Sequence, residues 1–312
     1  MKRKWNFDFY KNRKKYFIVS IALVVLTLAG TVLFGVERDV QFKGGVLLTY
    51  AYTGDVDADA FAAVAKETLG ADVALQQSTD LATGRQNFVL SLTDSSTVDA
   101  AGQSALTAAL AANFPQSGLE LVSSNVVDAT IGSEFFAKSI TAVAFAAVLM
   151  ILYISWRFRR INGWSAGLTS VVALLHDLMI VFAAFVWFRF LINANFIAAA
   201  LTIIGYSLND TIVIYDRIRE NERVLGKNVP LEELVNRSVN QSFSRSLMTS
   251  VTTCSAMAIV SIVAYLYHVT SILSFSVPML FGMISGFYSS VCIAPMLWTV
   301  WQKKRAEQKK KA

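Results

Sequence analysis

The chain has 312 residues, of which 54% are hydrophobic and 16% charged, with a mean hydropathy of +0.49 and a formal net charge of +6. A soluble domain usually carries about 25% charged residues. The composition therefore excludes an ordinary globular enzyme and points to a polytopic membrane protein. Cys254 and Cys292 both lie in apolar runs and form neither a metal nor a disulfide pattern.

Residues 1–16 are a basic tail containing Lys2, Arg3, Lys4, Lys11, Arg13, Lys14 and Lys15. Residues 17–36 are apolar. A basic start followed by an apolar run can mark a signal peptide, but this run is too long and no small-residue cleavage site follows, so it reads as an uncleaved first span.

Residues 37–133 are polar and acidic, as in a soluble domain. Val40–Tyr52 is rich in β-formers and predicts a strand. A helix over Asp57–Leu69 follows, opened by an Asp cap and with Phe61, Val64 and Leu69 at helical spacing. Asp72–Gln77 and Gln86–Leu92 predict two short strands turning at Thr83-Gly84. Thr97–Phe114 predicts an alanine-rich helix capped by Ser95 or Ser96, and Leu119–Ala129 a last strand. The order βαββαβ is that of a ferredoxin-like α+β domain, which by itself names no function. At its entrance, Phe42, Lys43, Gly44 and Gly45 suit a bulged strand or a close backbone approach. They do not suit a phosphate loop, because the lysine precedes the glycines and no strand–loop–helix follows.

Five more apolar runs follow, over residues 136–156, 163–188, 195–216, 246–267 and 272–300. Pro278, Gly282, Gly286 and Pro295 in the last should bend it or allow close packing. Residues 217–245 are a loop in which Leu231, Leu234, Val235 and Val239 predict an amphipathic helix at the membrane surface. Residues 301–312 are a second basic tail. Of the 28 lysines and arginines, only Arg38, Lys43, Lys66, Arg85, Lys138 and Arg189 fall outside the two tails, the 157–160 loop and the 217–245 loop. The positive-inside rule puts those four stretches in the cytoplasm, with both termini, and the acidic domain outside. Basic residues so placed mark orientation and contact with membrane lipids rather than nucleic acid.

Asn209 and Asp210 sit in the middle of the fourth span. A carboxylate inside the hydrocarbon must be protonated, paired or facing a polar path, so Asp210 is a functional candidate. The bland reading, helix-packing glue shared with Asn209, stays open. His176-Asp177 in the third span is either a polar helix contact or part of a proton path. Asp216, Arg217, Arg219 and Glu220 read as interfacial charges. With only His176 and His268 in the chain, a metal site is not expected. No serine, cysteine or zinc constellation suggests an enzyme.

The run Gly205-Tyr-Ser-Leu-Asn-Asp-Thr-Ile-Val-Ile-Tyr-Asp-Arg-Ile-Arg-Glu-Asn221 resembles the fourth span of the SecF family of preprotein translocase subunits. The His-Asp pair, the segment Arg245-Ser-Leu-Met-Thr-Ser250 and the Phe42–Gly45 motif agree with it. In that motif Gln41 stands where the family carries Asp. The resemblance implies six spans forming half of a resistance-nodulation-division (RND) bundle. It implies Arg245 as partner of Asp210, with no cofactor beyond a coupling ion, H⁺ or Na⁺. It further implies SecD, the SecYEG channel, YajC and the exported preprotein as partners, in the bacterial cytoplasmic membrane. The implied role is export assisted by the proton-motive force. A half-size exporter of lipids or small molecules and a non-transporting translocase scaffold remain alternatives.

An opposite charge favours an ionised carboxylate and desolvation favours the neutral acid. A group balanced between the two can load and release a proton.

Overall fold

The computed structural model describes residues 7–71, 73–80, 83–92, 100–226 and 229–311. Lys2, Arg3, Lys4, Asp72, Lys227 and the cap expected at Ser95 or Ser96 lie outside them.

Among the described residues, six helices are long and apolar enough to cross a membrane. They are α1 (Arg13–Phe34), α5 (Ala129–Arg157), α6 (Gly163–Trp187), α7 (Ala194–Leu225), α8 (Leu231–Leu266) and a last helix running from Thr270. The last comprises α9 (Thr270–Tyr288), a π turn (Ser289–Ile293) and α10 (Ala294–Lys311). Within their most apolar windows, 56% of α6, 56% of α7 and 67% of the last helix is buried, against 11%, 6% and 17% for α1, α5 and α8. The first three therefore form the interior of the bundle, and the apolar faces of the others are left for lipid or a partner. This is a multi-pass membrane protein.

Between α1 and α5 the chain forms α2 (Val40–Lys43), β1 (Gly45–Tyr52), α3 (Ala58–Leu69), β2 (Val73–Thr79), β3 (Gln86–Leu92), α4 (Ala100–Asn113) and β4 (Glu120–Val127). The sheet order is β2-β3-β1-β4 with every neighbour antiparallel, as a ferredoxin-like fold requires. Alternation along β1 and β3 sends Val46, Leu48, Tyr50, Phe88, Leu90 and Leu92 to one face, where Phe61 of α3 and Leu106 and Leu110 of α4 cover them. The Tyr50 hydroxyl meets Thr107 Oγ1 at 3.1 Å, so the buried phenol keeps a partner.

Two local expectations change. The strand predicted from Val40 begins at Gly45. Its first four residues are the short helix α2, opened by Asp39, whose carboxylate accepts from Gln41 N at 3.0 Å. Gly44 (φ +84°) and Gly45 (φ +136°) then turn the chain into β1. This turn seats Phe42, only 1% exposed, between Phe135 and Phe136 of α5.

The amphipathic segment of the 217–245 loop is no separate surface helix. Nothing between Phe243 and Leu247 breaks a helix, so it continues into the fifth span as the single 36-residue α8. Its apolar face packs on the C-terminal extension of α7, burying Leu234, Val235 and Val239 with Ile218. Asn221 Nδ2 donates to Ser238 Oγ at 2.8 Å between the two helices.

In the last helix the glycines serve close approach. A Cβ on Gly282 would fall 2.7 Å from Ile203 and Val181, and one on Gly286 would fall 3.1 Å from Ser207 Cβ. The irregularity lies not at Pro278, which the helix contains, but in the π turn.

The domain rests on the outer end of the bundle. Asp39 N donates to Ile192 O at 2.9 Å, and Ile192 N donates to Glu37 O at 2.9 Å. Gln41 Oε1 accepts from Ala194 N, the first residue of α7, at 3.4 Å. On the far side, Thr270 Oγ1 donates to Gln77 O of β2 at 2.8 Å.

Burial raises the Asp39 carboxyl above its ordinary range, while the Gln41 hydrogen bond pulls the other way. A raised folded-state pKa means the fold holds the proton more tightly than the unfolded chain. That contribution is present below the unfolded value and is lost as pH rises through the folded one. Asp39→Asn keeps the cap and cannot ionise. It should melt about 1–2 °C above wild type at neutral pH, with the difference closing at acidic pH. A wild type that is the more stable protein at neutral pH would contradict this.

Candidate functional site: a carboxylate on the fourth span

The helix α7 presents three faces. Its outward face carries Gly205 and Asn209, both exposed, and a Cβ on Gly205 would meet nothing within 4 Å. A second face turns to α8 and carries Tyr206 and Asp210. The third carries Ser207, Thr211 and Tyr215 at intervals of four, so all three point the same way, toward α6 and the last helix.

Asp210 is 3% exposed, and its Oδ2 is buried without a hydrogen-bond partner. The groups that act on it, Arg245, Ser246 and Ser250, all belong to α8. Tyr206 donates to Ser250 Oγ at 3.3 Å, while Ser246 Oγ is buried and unpaired. Ser246 and Ser250 face the carboxyl from α8 without closing a well-formed hydrogen bond to Oδ2, an arrangement that is costly unless the site uses it.

Arg245 is exposed and lines a cavity of about 1150 Å³ between the C-terminal part of α7 and the N-terminal part of α8, together with Arg160, Asp216, Arg217, Arg219 and Glu220. The structure thus brings Arg245 into electrostatic range of Asp210, with no ion pair closed between them among the described residues. Asp216 is held by Arg157 at 3.0 Å and Arg219 at 2.8 Å. Arg217 pairs with Glu220, and its Nε donates to Gln241 of α8 at 2.6 Å. The four interfacial charges therefore form two ion pairs that line the cavity.

His176 and Asp177 lie away from Asp210's α8 face. Asp177 is fully buried and accepts hydrogen bonds from Ser207, Ser285 and Ser289. His176 Nδ1 is 3.4 Å from Asp177 Oδ1, and its Nε2 is buried and unpaired. Among the described residues no group of three His, Cys, Asp or Glu could hold a metal ion. Asn209 and Gly205 are not brought to Asp210, and Phe42, Gly44 and Gly45 belong to the joint between domain and bundle.

Reading the sequence by charge missed the hydroxyls. Ser246 and Ser250, Ser285 and Ser289, and Ser207 and Thr211 each lie four apart on an apolar helix. That spacing was the available signal.

Six spans, a ferredoxin-like domain after the first and an acid buried in the fourth define half of an RND-type membrane protein. Residues 107–304 match the family described as protein export membrane protein SecD/SecF, C-terminal. The chain is 33% identical over 302 residues to the protein translocase subunit SecF of Sebaldella termitidis, covering 96% of this chain and 94% of that one. It is 38% identical over 189 residues to the protein translocase subunit SecDF of Thermus thermophilus, 60% of this chain and 24% of that one. The crystal structure of SecDF from Thermus thermophilus, a translocon-associated membrane protein, superposes with a TM-score of 0.81 at 26% identity, over 97% of this chain and 40% of that one. The chain belongs to the SecD/SecF protein-export family.

Proposed function

We propose that this chain is a SecF-like subunit of the Sec export machinery that couples an ion gradient to preprotein translocation through Asp210. The observation that carries the reading is the Asp210 carboxyl itself, buried in the fourth span with one oxygen unpaired, behind a charged cavity that Arg245 lines. In this reading an ion entering from the cytoplasm meets the paired charges of the cavity and Arg245 before the carboxylate. The work is mechanical and ionic rather than enzymatic.

SecD is the expected partner. Longer relatives in Thermus thermophilus and Bacillus subtilis are named SecDF, and this chain covers 24% of each. The outward stripe of Gly205 and Asn209 on α7 is the face we assign to that other half, because a glycine with open space before it suits close helix approach. Association with SecYEG, YajC and the exported chain, in the cytoplasmic membrane of a bacterium, follows from the same reading.

The test is export into proteoliposomes or inverted vesicles with an imposed gradient, protons in one arm and sodium in another, comparing wild type with Asp210→Asn. Orientation is tested separately. Cysteines at position 80 should react with an impermeant reagent from outside, and those at 159 and 310 only from the cytoplasmic side. A position 80 that stays protected in an otherwise accessible protein would reverse the topology.

A further inference from the structure

The polar groups inside the bundle fall on two sides of α7, and the proposed coupling uses one of them. Asp210 faces α8. Ser207, three residues earlier and about 60° around the helix, faces inward and donates to Asp177 Oδ2 at 2.6 Å. Ser289 donates to the same oxygen at 2.7 Å, and Ser285 donates to Oδ1 at 2.6 Å. One carboxylate on α6 therefore ties α7 to α9 and to the π turn. A second tie lies one helical turn on, where Ser290 donates to Ser207 O at 3.0 Å and shares a 2.8 Å bond with Thr211 Oγ1. A π turn inserted into an α-helix is often found where a helix must present groups out of register. Here it places Ser289 on Asp177 of α6 and the adjacent Ser290 on α7.

We propose that Asp177 is a positioning residue for ion coupling. With Ser207, Ser285 and Ser289 it fixes the rotation of α7, so that Asp210 is presented to α8. The inference rests on reading Asp210 as the ion-carrying group. The groups facing Asp177 are His176 on its own helix, Ser207 from α7 and Ser285 and Ser289 from the last helix, with the Tyr288 ring 6.0 Å from the His176 ring. Those facing Asp210 are Arg245, Ser246 and Ser250 from α8, with Tyr206 on its own helix. No lysine or arginine pairs with Asp177 among the described residues, and beside the 3.4 Å contact with His176 Nδ1 its three short bonds come from hydroxyls. Ser207 and Asp210 share one rigid helix. A rotation that breaks the Ser207 bond carries Asp210 away from α8 through the same angle.

The experiment compares wild type, Asp210→Asn, Asp177→Asn and Ser207→Ala in proteoliposomes. The protonated-carboxyl infrared band is titrated with pH, and gradient-driven export is measured on the same samples. The band absent from Asp210→Asn belongs to Asp210. It should persist in Asp177→Asn and Ser207→Ala, with its midpoint displaced by about one pH unit. Export should fall about 10-fold at the wild-type optimum, with the pH profile moving alongside the midpoint. Ser207→Ala separates positioning from charge, since it leaves the Asp177 carboxylate in place, and it carries the test alone if Asp177→Asn does not fold. A wild-type midpoint in Ser207→Ala would overturn the proposal, even if the variant melts lower. Loss of the band in Asp177→Asn with its retention in Asp210→Asn would also overturn it, making Asp177 the titrating group. If wild type shows no gradient-driven export but the Asp210 band still moves in Ser207→Ala, the positioning role stands and the coupling reading falls.

Discussion

Asp210→Asn should reach the membrane in wild-type amounts and lose all gradient-driven stimulation of export. An amide matches a carboxylate in size and cannot titrate. It is also cheaper to bury, because the cost of an ion in hydrocarbon disappears. The new N–H group has a buried acceptor within the site, since Ser246 Oγ has no partner. Folding is therefore untouched or helped, and the loss is confined to the ion-dependent step. Export driven by ATP alone, measured in parallel, should persist. Arg245→Ala should weaken the same step without removing it, because Arg245 acts on Asp210 from the cavity rather than through a closed pair. Asp216→Asn should be mild. That carboxylate is about a third exposed and sits between two arginines, and such pairs contribute roughly 0–1 kcal/mol. Gradient-dependent stimulation at the wild-type level in Asp210→Asn would refute the carrier role and leave a scaffold.

Gly44→Ala should be among the most damaging single-methyl changes available in this chain. The added Cβ would lie 2.3 Å from Ala129 Cα and 2.5 Å from Ala129 N, both backbone atoms, at a φ of +84°. The backbone it meets is fixed. Asp128 caps α5 by accepting from Thr130 N at 2.7 Å, and Phe42 is wedged between Phe135 and Phe136. Strain and overpacking together should cost about 3 kcal/mol or more. Gly84→Ala is the matched control, with φ +68° and nothing within 4 Å. It should cost about 1 kcal/mol from backbone strain alone. The melting temperatures of the two variants in detergent isolate the clash. If Gly44→Ala melts within a degree of Gly84→Ala, the close approach of α2 to α5 is not what holds the domain in place.

The spans were legible because a bilayer imposes length and hydropathy on a helix, and the charge asymmetry of the loops stood out for the same reason. The ferredoxin-like order was legible because Asp57 caps its helix and the strands alternate. Val40–Lys43 was misread since β-propensity is a weak prior. Asp39 supplied a cap, and two glycines with positive φ supplied a turn, which the run of β-formers masked. The junction at residues 217–245 was misread for another reason. Charge suggested a loop although nothing between Phe243 and Leu247 breaks the helix, and the packing of its apolar stripe on Ile218 of α7 is a contact that no local pattern announces. Asp210 stood out as an acid among aliphatics. The serines around Asp177 did not, because one hydroxyl on an apolar helix carries little signal until its partners on two other helices are known.

The way the α+β domain is seated has a mechanical consequence. It is joined covalently to α1 and α5, fastened by Glu37, Asp39 and Gln41 to the loop that opens α7, and touched by Thr270 at the turn between α8 and α9. Among the described residues, the α6–α7 and α8–α9 turns thus both reach the domain, one through the segment that leads into β1 and the other through β2. Differential sliding among the helix pairs cannot be absorbed separately at each loop. It must be summed into one tilt of the sheet, as the unequal shortening of table legs is read in the angle of the top. A displacement of α7 too small to open any gap within the membrane would then be enlarged at the far edge of the domain, in proportion to that edge's distance from the Ile192 clasp.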